Sequence, residues 1–219
     1  MEKWRLDIDN SDLSRLYENY LSQIDYISTL YSVVLSADLK IRAGDFLNAN
    51  DEIPLSDDFS RGFTTIKNNQ DMIKCSESKN LEKINHYQTV ISLVSNYENF
   101  INSLIDYFGV STSIIKNASP TSYGEVIESP ILKKIQALHD ELKIESNVIG
   151  SHELKYLYKI IRARNTITHS QGVASNTDLI LLEHWIKGGV ISFTTNQIDD
   201  FIHFFVMPTR SMLINMGAK

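Results

Sequence analysis

The chain has 219 residues, 42% of them hydrophobic and 22% charged, with 21 Lys+Arg against 27 Asp+Glu for a net charge of −6. This composition excludes a largely disordered chain, and the acidic balance excludes a basic coat for nucleic acid or for an anionic membrane. The single cysteine, Cys75, excludes an internal disulfide framework and a cysteine-rich zinc site.

Glycine and proline are scarce, at nine and four residues, and apolar residues recur at helical spacing, which predicts an all-α fold. One domain is expected, a bundle of four to five main helices. Asp9-Asn10-Ser11 can cap a long first helix over 11–42. Its stripe reads Leu13, Leu16, Tyr17, Tyr20, Ile24, Ile27, Leu30, Tyr31 and Val34. The acidic stretch 44–58 breaks the pattern and reads as a surface loop. A second long helix over about 81–108 opens the motif-bearing core, 81–212. Its apolar arc includes Val90, Val94, Tyr97, Ile101 and Leu104, and its only acidic member is Glu98. A carboxylate in that arc requires a partner.

Ser129-Pro130 starts a third helix, with proline at its first position. Gly150-Ser151 starts a fourth, which buries Leu154, Leu157, Ile160 and Ile161 and ends near Gln171-Gly172. Lys187 to Phe193 reads as a turn with one short extended piece. Thr194-x-x-Gln197 is then a capping box for the last helix (Ile198, Phe201, Ile202, Phe205), in which Pro208 invites a kink. No leading apolar segment and no apolar run of about 18 residues occur, so a cytoplasmic protein with no membrane span is expected.

In the fourth helix Arg164 falls between Ile161 and Thr168 on the apolar stripe, the same anomaly as Glu98. The two charges are natural partners if their helices pack together; by itself that describes a structural ion pair. The segment Arg164-Asn165-x-x-x-His169 resembles the R-x4-6-H signature of the HEPN superfamily (higher eukaryotes and prokaryotes nucleotide-binding domain). Around it, Ser95-Asn96-Tyr97-Glu98-Asn99-Phe100 resembles the earlier acidic helix of that family. Arg162 also satisfies the spacing. On an unbroken helix Arg162 and His169 share a face, whereas Arg164 and His169 lie about 140° apart, unless the last turn unwinds near Thr168. The asparagine that follows favours Arg164.

The resemblance implies a HEPN-like bundle and a metal-independent endoribonuclease without cofactor, its site composed from two copies of the motif at a homodimer interface. His169 would move a proton and Arg164 would bind the phosphate. Asn165 would orient one of these groups, and Glu98 would fix Arg164. Arg162, Lys159 and Lys155 would be substrate contacts. Lys155 to Arg164 holds four cations and no carboxylate, so two copies would gather about eight positive charges in one strip. RNA, including tRNA, is the implied substrate, in a toxin or phage-defence role with an antitoxin or defence-system partner. Gln171 stands where relatives modified by a nucleotidyltransferase antitoxin carry tyrosine, so that form of regulation is not expected. A catalytically inactive interaction or RNA-binding module, or a plain helical scaffold, is the alternative. His86, His139, His152, His184 and His203 show no metal-ligand spacing and read as surface or satisfied polar residues.

Overall fold

The side chain of Asn10 starts the first helix by accepting the N–H groups of Asp12 and Leu13, both at 3.1 Å. The computed structural model describes residues 8, 10–44, 69–142 and 150–215. The expected cap residue Asp9 and nearly all of the acidic stretch 44–58 lie outside them. Within the described residues the fold is all-α. The long helices are α1 (Ser11–Ala43), α3 (Asn80–Phe108), α5 (Pro130–Glu141), α6 (Ser151–Ser170) and α8 (Thr195–Asn215). The short ones are α2 (Asn69–Glu77), α4 (Thr112–Asn117) and α7 (Asn176–Leu181). The chain divides into two compact units, one drawn from residues 1–27 and 90–219 and the other from 28–89; α1 and α3 contribute to both.

In the larger unit the fully buried side chains come from every long helix. Tyr17 belongs to α1, Leu93, Tyr97, Ile101 and Leu104 to α3, and Leu132 and Leu138 to α5. Leu157 and Ile160 belong to α6 and Phe201 and Phe205 to α8, and Leu182, just after α7, is buried with them. Each removes apolar area worth roughly 1.5–3 kcal/mol from water. Phe201 and Phe205 are core, the Phe201 ring lying 5.0 Å from Trp185 and 5.3 Å from Phe193, while the partly buried Phe204 packs edge-on to Tyr156 at 4.9 Å. The Tyr20 hydroxyl donates to the Phe205 carbonyl at 2.7 Å, tying the start of α1 to α8. In α1 the stripe differs from expectation at two points: Leu30 is exposed and Leu21, not expected on the stripe, is buried, the two lying about 180° apart on opposite sides of the helix.

Two small antiparallel hairpins interrupt the helices: β1 (Thr121–Ser122) with β2 (Glu125–Val126), and β3 (Ile186–Lys187) with β4 (Val190–Ile191). The second corrects the single extended piece expected over 187–193. Gly188 and Gly189, both at positive φ, turn the chain back on itself, and β4 also bridges to Val173 just after α6. The Thr194–Gln197 capping box is present in both directions, at 2.9 and 3.3 Å, and α8 continues through Pro208.

The smaller unit is organised around a buried carboxylate. Asp38 accepts the Ser76 hydroxyl at 2.6 Å and the Arg42 guanidinium, which also donates to Glu82 at 2.9 Å. Asn85 donates to the Tyr31 carbonyl at 3.0 Å, and the buried His86 ring lies 3.5 Å from the Tyr31 hydroxyl.

Candidate functional site

Whether the predicted site residues can meet depends on how α6 ends. It stays wound to Ser170. Gln171 takes a left-handed conformation (φ 52°), as does Gly172 (φ 82°), and the N–H groups of both residues return to the Thr166 carbonyl, that of Gly172 at 3.1 Å. The Thr168 hydroxyl donates to the Arg164 carbonyl at 2.8 Å, one regular turn back. The unwinding that would have brought Arg164 to His169 does not occur, because the left-handed cap satisfies the helix end with the turn intact. At 100° per residue, Tyr158, His169, Arg162, Lys155 and Lys159 fall in one arc of about 100°, and Arg164 points to another side, about 140° from His169.

The first group of predicted residues does assemble. Arg164 Nη2 donates to Glu98 Oε2 at 3.1 Å and Nη1 donates to Asn165 Oδ1 at 3.0 Å, so α3 and α6 are joined by the ion pair their sequences anticipate. The side chains of Arg164 and Glu98 are 21% and 30% exposed, which places the pair at the rim of the core. A residue not foreseen joins them. Lys134 of α5 lies 3.9 Å from Glu98 Oε1 and donates to Asn102 Oδ1 at 2.7 Å. One carboxylate thus faces two cations. Lys134 follows Lys133 on an ordinary amphipathic helix, and no sequence signal separates it from a solvated lysine.

The second group lies on the other side of α6. Arg162 Nε donates to Asp178 Oδ1 at 2.6 Å. Asp178, with a side chain only 3% exposed, also accepts the Ser175 N–H at 2.9 Å and the Ser175 hydroxyl at 2.7 Å, while the Ser175 oxygen caps the start of α7. Burial alone would raise the Asp178 pKa, but the Arg162 guanidinium and the Ser175 hydrogen bonds outweigh it and hold the carboxyl below its usual range. Ser175-x-x-Asp178 is a capping-box spacing, so this residue was legible as a cap but not as the partner of Arg162.

An open groove of about 630 Å³ runs beside this face, with Lys155, Tyr158 and Lys159 on the α6 side and Asn176, Thr177 and Ile180 on the α7 side. Glu125 and Glu183 line it too, so its charge is mixed. Lys155 Nζ lies 5.8 Å from the centre of the exposed Tyr123 ring. His169 is exposed in the last turn. The continuous strip of four cations expected along 155–164 is therefore divided: three lie on this face and Arg164 is turned away against Glu98. No helix among the described residues is long and apolar enough to cross a membrane. No family model, no curated protein and no solved structure matches this chain.

Proposed function

We propose that this protein is a HEPN-type, metal-independent endoribonuclease acting in the cytoplasm as a homodimer, in a toxin or phage-defence role. The observation that carries the reading is the contrast at the end of α6. An arginine is held at the rim of the core by Glu98 and Asn165, and five residues later a histidine is exposed to solvent. Histidine titrates near neutrality and is suited to proton transfer, and a guanidinium matches the oxygens of a phosphodiester. The 2′-oxygen of the substrate attacks the adjacent phosphorus and gives up its proton. The bond from phosphorus to the 5′-oxygen breaks, and that oxygen takes a proton, leaving a 2′,3′-cyclic phosphate and a 5′-hydroxyl. DNA, which lacks the 2′-hydroxyl, is not cut. Because Arg164 and His169 diverge by about 140° on one unbroken helix, the reading requires a second copy to complete the site.

The test is incubation of the purified chain with total RNA and tRNA in EDTA, with mapping of the ends. Wild type yields specific products, and His169→Ala lowers the rate by at least about 100-fold while keeping its thermal midpoint. Undiminished cleavage by that variant would overturn the assignment. One observation favours the second reading, a catalytically inactive interaction or RNA-binding module: Arg164 already spends donors on Glu98 and Asn165, and Arg162 spends its Nε on Asp178. On that reading no product forms with either chain.

A further inference from the structure

Arg162 is held in a way that suits a ligand better than a structural pair alone. Among the described residues only its Nε is committed, to a carboxylate that is itself buried and fixed by two hydrogen bonds from Ser175. The side chain is 37% exposed, so the guanidinium is anchored at one edge and open to solvent at the other. An arginine fixed in this way loses less side-chain freedom when it binds an oxyanion, and its planar fork presents two parallel donors.

The neighbours on the helix extend the same surface. Lys159 and Lys155 lie within about 60° of Arg162 on one side, and His169 lies within about 20° on the other. From Lys155 to His169 the face runs about 21 Å at 1.5 Å per residue, long enough for several phosphates of an extended strand. A groove lined by Lys155, Tyr158 and Lys159 of α6, by residues of α7 and by Glu125 and Glu183 lies along it, and Tyr158 places an aromatic side chain in its lining.

We propose that the exposed face of α6 is a track for the phosphates of a single RNA strand, with Arg162 as its anchor and Asp178 as the positioning residue that aims Arg162. This rests on the ribonuclease reading for the identity of the polyanion, and it assigns to Asp178 a role beyond capping α7.

The experiment uses the full-length chain carrying His169→Ala, so that cleavage does not intervene. Binding of a fluorescein-labelled single-stranded RNA of about twelve nucleotides is followed by anisotropy across a potassium chloride series. In this background Arg162→Gln is expected to weaken binding about tenfold and to reduce the salt slope by about one. Asp178→Asn keeps an oxygen that can accept from Ser175 and removes a negative charge. General electrostatics alone predicts tighter binding for it, whereas a positioning role predicts weakening of about threefold or more. Should Asp178→Asn unfold, Arg162→Lys replaces it, keeping the charge and losing the fork, and is also expected to weaken binding about threefold. Lys116→Gln, an exposed lysine on α4, is expected to bind as the background does. The track is overturned if the background chain does not bind, if Arg162→Gln binds within twofold of it, or if Asp178→Asn binds more tightly. Failure of the ribonuclease reading appears separately, as absence of cleavage by wild type, and RNA binding that depends on Arg162 and Asp178 would then identify a binding module.

Discussion

Two sides of one helix use arginine in different ways. Toward α3, Arg164 shares its side of the helix with the buried Leu157, Ile160 and Ile161, and its charge is met by Glu98, which Lys134 also approaches. On the far side Arg162 meets Asp178, a carboxylate fixed by a helix cap, and shares its face with Lys155, Lys159 and the exposed His169. The first arrangement joins α3 to α6; the second ties Arg162 to a carboxylate of α7 on the helix face that also carries the groove-lining Lys155 and Lys159. Position around the helix, more than residue type, separates the two. A two-residue step rotates a side chain by about 200°, which is the difference between core rim and solvent.

The largest effect expected concerns the exposed side. If the proposed ribonuclease reading holds, His169→Ala is expected to lower RNA cleavage at least about 100-fold, and cleavage near the wild-type rate would break the contrast by removing the role proposed for the exposed face. On the buried side Leu157→Ala is expected to cost about 2–5 kcal/mol in denaturant unfolding, since Leu157 is fully buried in the core of the larger unit. Glu98→Ala removes the partner of a half-buried guanidinium, and with both side chains partly exposed the loss is about 1–2 kcal/mol. A double-mutant cycle with Arg164→Met measures the coupling, and a coupling near zero would show that the pair does not join α3 to α6.

A smaller effect should appear with pH. The Asp178 carboxyl is held below its ordinary value of 3.8 in the folded chain. Its contribution to stability is therefore present above about pH 3.8 and is lost as pH falls through the lower folded value. Amide exchange in α7 should accelerate in that acid range in wild type more than in Asp178→Asn; equal acceleration would mean that the carboxylate does not hold α7. The smallest effect is the stability change in His169→Ala itself. With the side chain exposed, the expected change is within about 0.5 kcal/mol, and a larger loss would place His169 among the structural residues.

Much of the fold was legible because helices write their period into the chain. The boundaries of α1, α3 and α6 follow from the apolar stripes, the Asn10 cap and the left-handed Gln171-Gly172 end, and the Thr194–Gln197 box marks the start of α8. The pairing of Glu98 with Arg164 was legible for a related reason. Each charge breaks an apolar stripe, and a charge on a core-facing stripe calls for a partner. The short elements were legible only in part. α2, α4 and α7 have too few residues to show a period, and of the second hairpin the sequence showed a turn and one extended piece but not the pairing of two two-residue strands.

What the sequence determined alone is therefore the class of fold, the course of the long helices and the need of Glu98 for a cation, because these depend on spacing within one segment. Tertiary structure decided which cations share a surface. Lys134 reaches Glu98 only because α5 packs near α3, and Asp178 reaches Arg162 only because α7 folds back beside α6. Contacts between residues 16 or 36 positions apart carry no periodic trace in the chain. The physical reason is that they depend on the packing of whole elements, which a local pattern does not encode.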